Sequence, residues 1–102
     1  MRPVTVTTSN ATGGTVNSSP IPMDYNASVT FNVGIICIVT GTATYSVQHS
    51  DDNTNWLNNA NISGANASAD TNYMFPVKYI RLSQTAGSGS VTMTVIQTGP
   101  SR

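Results

Sequence analysis

Ser90-Val91-Thr92-Met93-Thr94-Val95-Ile96-Gln97 places Val91, Met93 and Val95 at alternate positions with threonines between them. A period of two sends successive side chains to opposite faces of an extended chain, so this stretch predicts a half-buried β-strand. Thr98-Gly99-Pro100 ends it, since proline has no N–H to give a ladder. At the other end of the chain, Pro3-Val4-Thr5-Val6-Thr7 alternates in the same way.

Working inward, Val29-Thr30-Phe31-Asn32-Val33 alternates, and Gly34 reads as a bulge before Ile35-Ile36-Cys37-Ile38-Val39. Those five apolar residues predict a strand covered on both faces. Thr40-Gly41 separates them from residues 42–50, where Ala43, Tyr45, Val47 and His49 share one face. The Gly-containing turns at 40–41 and 83–90 both suggest hairpins. Pro20-Ile21-Pro22-Met23 is extended, yet its prolines exclude a central strand. Residues 9–19 read as a loop or ragged edge, and residues 51–55 as a tight turn. Residues 58–71 read as a long loop between two sheets, and residues 77–82 as a further strand. No segment repeats apolar residues at helical spacing over three turns. The expected fold is all-β: an antiparallel β-sandwich, jelly-roll-like, of about seven or eight strands. It forms one domain over 1–102, with residues 1–8 as an extended N-terminal arm or edge strand.

Composition narrows the function. Charged residues are 8% of the 102, far below the quarter or so of typical soluble domains, and the formal net charge is zero. Arg2, Lys78, Arg81 and Arg102 do not cluster, which argues against neutralising nucleic-acid phosphates. Polar surface comes instead from 15 Thr, 12 Ser and 11 Asn. No apolar run reaches the length of a membrane helix, and the opening residues lack the apolar core of a signal peptide, so synthesis in the cytoplasm is expected. Asn-x-Ser/Thr triplets begin at Asn10, Asn17, Asn26, Asn61 and Asn66, a pattern that an Asn/Ser/Thr-rich chain produces by chance. Cys37 stands alone in an apolar run and reads as a small buried hydrophobe.

The inventory for catalysis is thin: no Glu, one His, four Asp and one Lys. Ser50, His49 and Asp51 are consecutive, but neighbours on a strand face opposite ways, so they do not form a natural triad. Asp51-x-Asn53-x-Asn55 matches the start of a calcium loop. Trp56 and Ile62 then stand where an EF-hand needs Gly and a bidentate Glu. A cation site from Asp51, Asp52 and Asp70 is the alternative to a polar turn that caps its own N–H groups. Trp56 and the tyrosines at 25, 45, 73 and 79 are candidates for a sugar-binding face or for the core. No catalytic, cofactor-binding or metal residue is assigned, and no cofactor is expected.

Two resemblances follow from these segments. Residues 45–56 with Val77-Lys78-Tyr79-Ile80-Arg81-Leu82 resemble parts of discoidin-like β-sandwiches. The ensemble of Pro3-Val4-Thr5-Val6, Ile21-Pro22-Met23-Asp24-Tyr25, Phe31-Asn32-Val33-Gly34, residues 45–49, Trp56, Phe75-Pro76-Val77 and residues 91–97 resembles small virion proteins of tailed bacteriophages. The second resemblance implies a structural role in the virion, foremost a capsid decoration (cement) protein, with a tail, neck or fibre component as an alternative. The first implies another alternative, a carbohydrate-binding β-sandwich module of the discoidin-like type that uses Trp56. The second implies as partners the major capsid protein or other virion proteins and a homo-oligomer (dimer or trimer). The charge and apolar patterns above lead to no nucleic acid and no membrane as partners. Partner contacts are expected at Arg2, Pro3, Val4 and Trp56, in the arm 2–8, and in the loops 9–19 and 58–71.

Overall fold

A computed structural model describes residues 3–9, 14–23 and 32–98. They form nine strands: β1 Val4–Ser9, β2 Val16–Asn17, β3 Ile21–Pro22, β4 Asn32–Thr40, β5 Thr44–Ser50, β6 Leu57–Asn58, β7 Ala69–Tyr73, β8 Tyr79–Ala86 and β9 Ser90–Thr98. All pairings are antiparallel. The first sheet has the order β1-β9-β4-β7, and the second the order β2-β8-β5-β6 with β3 also on β8. The expected antiparallel β-sandwich is therefore the architecture. The expected strand at 29–33 lies partly outside the described residues.

The alternation read from the sequence decides what is buried. Val91, Met93 and Val95 on β9 and Val33, Ile35 and Cys37 on β4 point inward from the first sheet. They meet Ala43 just ahead of β5, Tyr45 and Val47 on β5, and Ile80 and Leu82 on β8. Burial raises the Cys37 thiol to about 12 and the Tyr45 phenol to about 12, while the Tyr45 O–H donates to the Ala67 carbonyl at 2.8 Å. Cys37 is a packed hydrophobe, as the sequence suggested.

Three expectations are corrected. Gly34 is not a bulge: β4 runs through it, paired to β9 without a break in register. The apolar run is not covered on both faces either, because Ile36 and Ile38 are 48% and 51% exposed. Finally, the two glycine turns do not make hairpins. β4 and β5 lie in different sheets, as do β8 and β9, so each turn is an arch that crosses the sandwich. The arches interlock, β4 pairing with β9 and β5 with β8. Period-two patterning reveals the inward face of a strand but not its partner, which is why arch and hairpin look alike in sequence. The end of the loop expected at 58–71 also differs: residues 69–71 belong to an edge strand, Ala69–Tyr73, on β4 that its small polar residues do not announce.

The arches touch through backbone. Gly89 N–H donates to the Thr42 carbonyl at 2.7 Å. Gly87 has φ +89°, and a Cβ there would collide with the Thr42 backbone. Buried Gln84 ties the end together: its amide nitrogen donates to the Gly87 and Gly89 carbonyls at 3.3 and 3.0 Å, and its oxygen accepts from Thr8 Oγ1 at 2.9 Å. Gln84→Leu would strand the Thr8 hydroxyl and two carbonyls, and should cost about 1–3 kcal/mol by urea denaturation. Thr85→Leu, on the exposed side of the same strand, should change stability by less than about 1 kcal/mol.

Candidate functional site

Two surfaces stand out, and the first is built at the end of β5. His49 is the last residue on its inward face, and there the second sheet meets Tyr73 of β7. His49 Nδ1 lies 2.7 Å from the Tyr73 hydroxyl. Phe75 completes an edge-to-face trio, with ring centroids 5.6 Å from His49 and 5.4 Å from Tyr73. Burial raises the Tyr73 phenol to about 12, opposed by a hydrogen bond from the Asn59 side chain, so the hydroxyl keeps its proton. Asn59 Oδ1 accepts from Asn61 N–H at 2.8 Å and from Thr71 Oγ1 at 3.2 Å, which leaves the Asn59 amide nitrogen as the donor to Tyr73. The buried Tyr73 O–H has His49 Nδ1 as its acceptor among the described residues, and the assignment that satisfies it puts the imidazole proton on Nε2. Burial holds the His49 pKa below its ordinary 6.5.

Beside this trio lies a pocket of about 340 Å³ lined by His49, Ser50, Asp51, Asn55, Leu57, Phe75, Pro76 and Val77. The connection between β5 and β6 forms one wall. Ser50 Oγ donates to Asp52 Oδ1 at 2.9 Å and accepts the N–H groups of Asp52 and Asn53 at 3.2 and 2.9 Å. Asp52 Oδ1 further accepts from Thr54 and Asn55 N–H at 2.9 and 2.8 Å, and Oδ2 accepts from Asn55 Nδ2 at 2.7 Å. Those bonds, the backbone bond from Asn55 foremost, hold the Asp52 carboxyl well below the usual carboxylate range. Asn53, at φ 60°, takes the left-handed position that asparagine tolerates. The polar-turn reading therefore describes residues 51–55. Asp70 lies on β7 in the other sheet, and no three His, Cys, Asp or Glu side chains converge among the described residues. The Ser50 hydroxyl is directed into the turn, away from any pairing with His49.

The expected contact residues fall elsewhere. Arg2 lies outside the described residues. Pro3 is exposed ahead of β1, and Val4 packs partly against the core within a strand paired along six residues with β9. Trp56 is half-buried, with the Arg81 guanidinium 4.2 Å from its ring centroid. Arg81 Nε donates to Gln48 Oε1 at 2.7 Å, which places Trp56 beside that polar row rather than on the pocket wall. The loop at 59–68 is held by its own chain. Tyr45 and Ala65 exchange backbone hydrogen bonds at 2.8 Å, and Gly64 N–H donates to Ser46 Oγ at 2.8 Å.

The second surface is the outer face of the first sheet. β4 presents Ile36 and Ile38 there and β9 presents Thr92, Thr94 and Ile96, while β1 adds Thr5 and Thr7. Facing threonines meet in pairs, Thr5 with Thr94 and Thr7 with Thr92, each at 3.2 Å. Where β4 outruns β7, Ile36, Ile38, Ser68 and Asp70 border a shallow depression of about 290 Å³. The continuous apolar run at 35–39 was the sequence signal for this face, although it pointed to cover from within the chain. The pocket had no comparable signal, because its walls come from three separated segments.

Comparison with protein-family models and with curated proteins finds no match to this chain.

The His49 pKa is lower in the folded chain than in the unfolded one, so between the two values the unfolded state binds more protons. Its contribution to stability is complete above about pH 6.5 and is lost as the pH falls through the folded value. The urea midpoint should drop between about pH 7 and pH 5 in the parent and stay level over that interval in His49→Gln. Asp52 acts in the same direction at lower pH, below its ordinary 3.8, and does not blur the test.

Proposed function

We propose that this chain is a non-catalytic structural component of a bacteriophage virion, a capsid decoration protein that stabilises the head through protein–protein contacts. The observation that carries the reading is the outer face of the first sheet. Ile36 and Ile38 stand about half exposed on a central strand, with Ile96 on its neighbour and threonine pairs alongside. Isoleucines grouped on a flat sheet face lose favourable burial unless a neighbour covers them, and such patches mark interaction surfaces.

Size and charge fit that role. Four strands about 4.8 Å apart and nine-residue strands rising about 3.4 Å per residue give a face of roughly 19 by 30 Å. That is on the order of 500–600 Å² per subunit, enough for a small specific interface when a partner contributes as much. The face carries no Lys or Arg and a single carboxylate, Asp70 at its β7 edge opposite Ile36. Covering the part built by β1, β9 and β4 therefore desolvates no charge, and the threonine hydroxyls can bond across the contact. Binding without chemistry is supported by the fates of two of the candidate catalytic groups: the Ser50 hydroxyl is consumed in a turn, and His49 Nδ1 is engaged by Tyr73. The head as partner rests on the resemblance to phage virion proteins.

Particles assembled without the protein should lose infectivity sooner on heating or osmotic shock, and added protein should restore it. The double variant Ile36→Lys, Ile38→Lys should keep the parent's fold, within about 1 kcal/mol per site, yet fail to co-sediment with heads. Full co-sedimentation of that variant, or parent protein that associates with tails alone, would sink the decoration reading.

A further inference from the structure

We infer that the pocket between the 51–55 turn, Leu57 and Phe75 is a binding site for a neutral hexopyranose sugar, held by His49, Asp51 and Asn55 against the Phe75 ring. The inference stands apart from the particle-docking face, because it uses a different end of the sandwich.

The pocket has two unlike walls. Leu57, Phe75, Pro76 and Val77 make one of them, with Leu57 67% and Phe75 53% exposed. The other offers polar groups that the protein does not use up. Ser50 drops out, since its hydroxyl is saturated by the turn. Asp51 has no hydrogen-bond partner for its side chain among the described residues, which leaves both of its oxygens as acceptors. Asn55 spends its amide nitrogen on Asp52 and keeps Oδ1. His49 spends Nδ1 on Tyr73 and keeps Nε2–H as a donor. The relay from Asn59 through Tyr73 fixes that choice of tautomer, so the donor is preorganised rather than averaged.

Each alternative class of ligand leaves something unpaired. An anion would meet Asp51 and the neighbouring Asp52 with no Lys or Arg lining the pocket. A guanidinium or ammonium group carries only donors and would set them against His49 Nε2–H. A purely apolar ligand would desolvate Asp51 and His49 without replacing their bonds to water. A pyranose matches the set, because each hydroxyl both donates and accepts and can bridge acceptors such as Asp51 and Asn55. Its ring C–H groups carry slight positive charge and suit the negative face of an aromatic ring such as Phe75. The volume lies at the small end of ligand sites, about 300–1,000 Å³, which suits one sugar residue or a chain terminus. Trp56, the aromatic residue that the sequence put forward for such a role, is occupied by Arg81 and is not part of this pocket.

The test is saturation-transfer NMR with glucose, galactose, mannose and N-acetylglucosamine at millimolar concentration, followed by amide-shift mapping on the full chain. At least one hexose should receive saturation and shift amides confined to 49–57 and 75–77. Asp51→Ala and Phe75→Ala should each weaken binding about tenfold or more. Trp56→Leu and the Ile36→Lys, Ile38→Lys variant should bind like the parent. The proposal is overturned if none of the four sugars binds, if the shifts map elsewhere, or if Asp51→Ala binds as well as the parent. It is overturned equally if butylguanidinium binds the pocket in place of the sugars.

Discussion

Two chain segments cross between the sheets at one end of the sandwich, and a backbone hydrogen bond from Gly89 to Thr42 ties one to the other. The arch at 41–43 carries β4 into β5, the arch at 87–89 carries β8 into β9, and their strands pair crosswise. Backbone meets backbone at the crossing, with no room for a Cβ at Gly87 or Gly89. Bringing polar backbone groups together inside a fold leaves carbonyls that need donors. Gln84 supplies them and passes its own acceptor to Thr8 of β1. One buried amide thus joins the 87–89 arch to the edge strand of the opposite sheet, while the Gly89 N–H joins that arch to the other.

The far end is closed by a second polar link between sheets, His49 to Tyr73. Between these two links the contacts are apolar, and they fix the spacing of the sheets without choosing a register along them. The polar links add the directional part, since a hydrogen bond fails when its partners slide by an ångström or two. They also set where function is placed. The arch end is filled by its own backbone, whereas the His49 end is left with a pocket because the 51–55 turn and Phe75 stand apart.

The scarcity of charge takes its meaning from the same arrangement. A sandwich with neutral hydroxyl and amide surfaces gives up little solvation when covered, and its threonine rows pair with each other in the meantime. Isoleucine on such a face is a departure from the polar-out rule for half-buried sheets, and departures of that kind are where function is expected to lie. The proposed docking face and the pocket are both places where the chain leaves groups unsatisfied that its own fold had the means to cover.

The inward faces of β5, β8 and β9 were legible in the sequence, because Val91, Met93, Val95, Tyr45, Val47, Ile80 and Leu82 follow a period of two that any pairing must honour. The polar turn at 51–55 and the buried Cys37 were legible too, since Asp and Asn bond their own backbone and an isolated thiol among isoleucines has no other use. The sequence alone determined that the alternating strands bury one face each and which of their side chains lie on it. Tertiary structure alone decided which strand lies beside which, that the glycine turns are arches, that Ile36 and Ile38 face outward, and that His49, Asp51 and Phe75 share one pocket. Alternation is a local property of the chain, whereas partnership is settled by contacts between residues 29 to 66 positions apart. Those contacts depend on how the arches nest and on where Gln84 finds its partners, information that no single stretch of the chain contains.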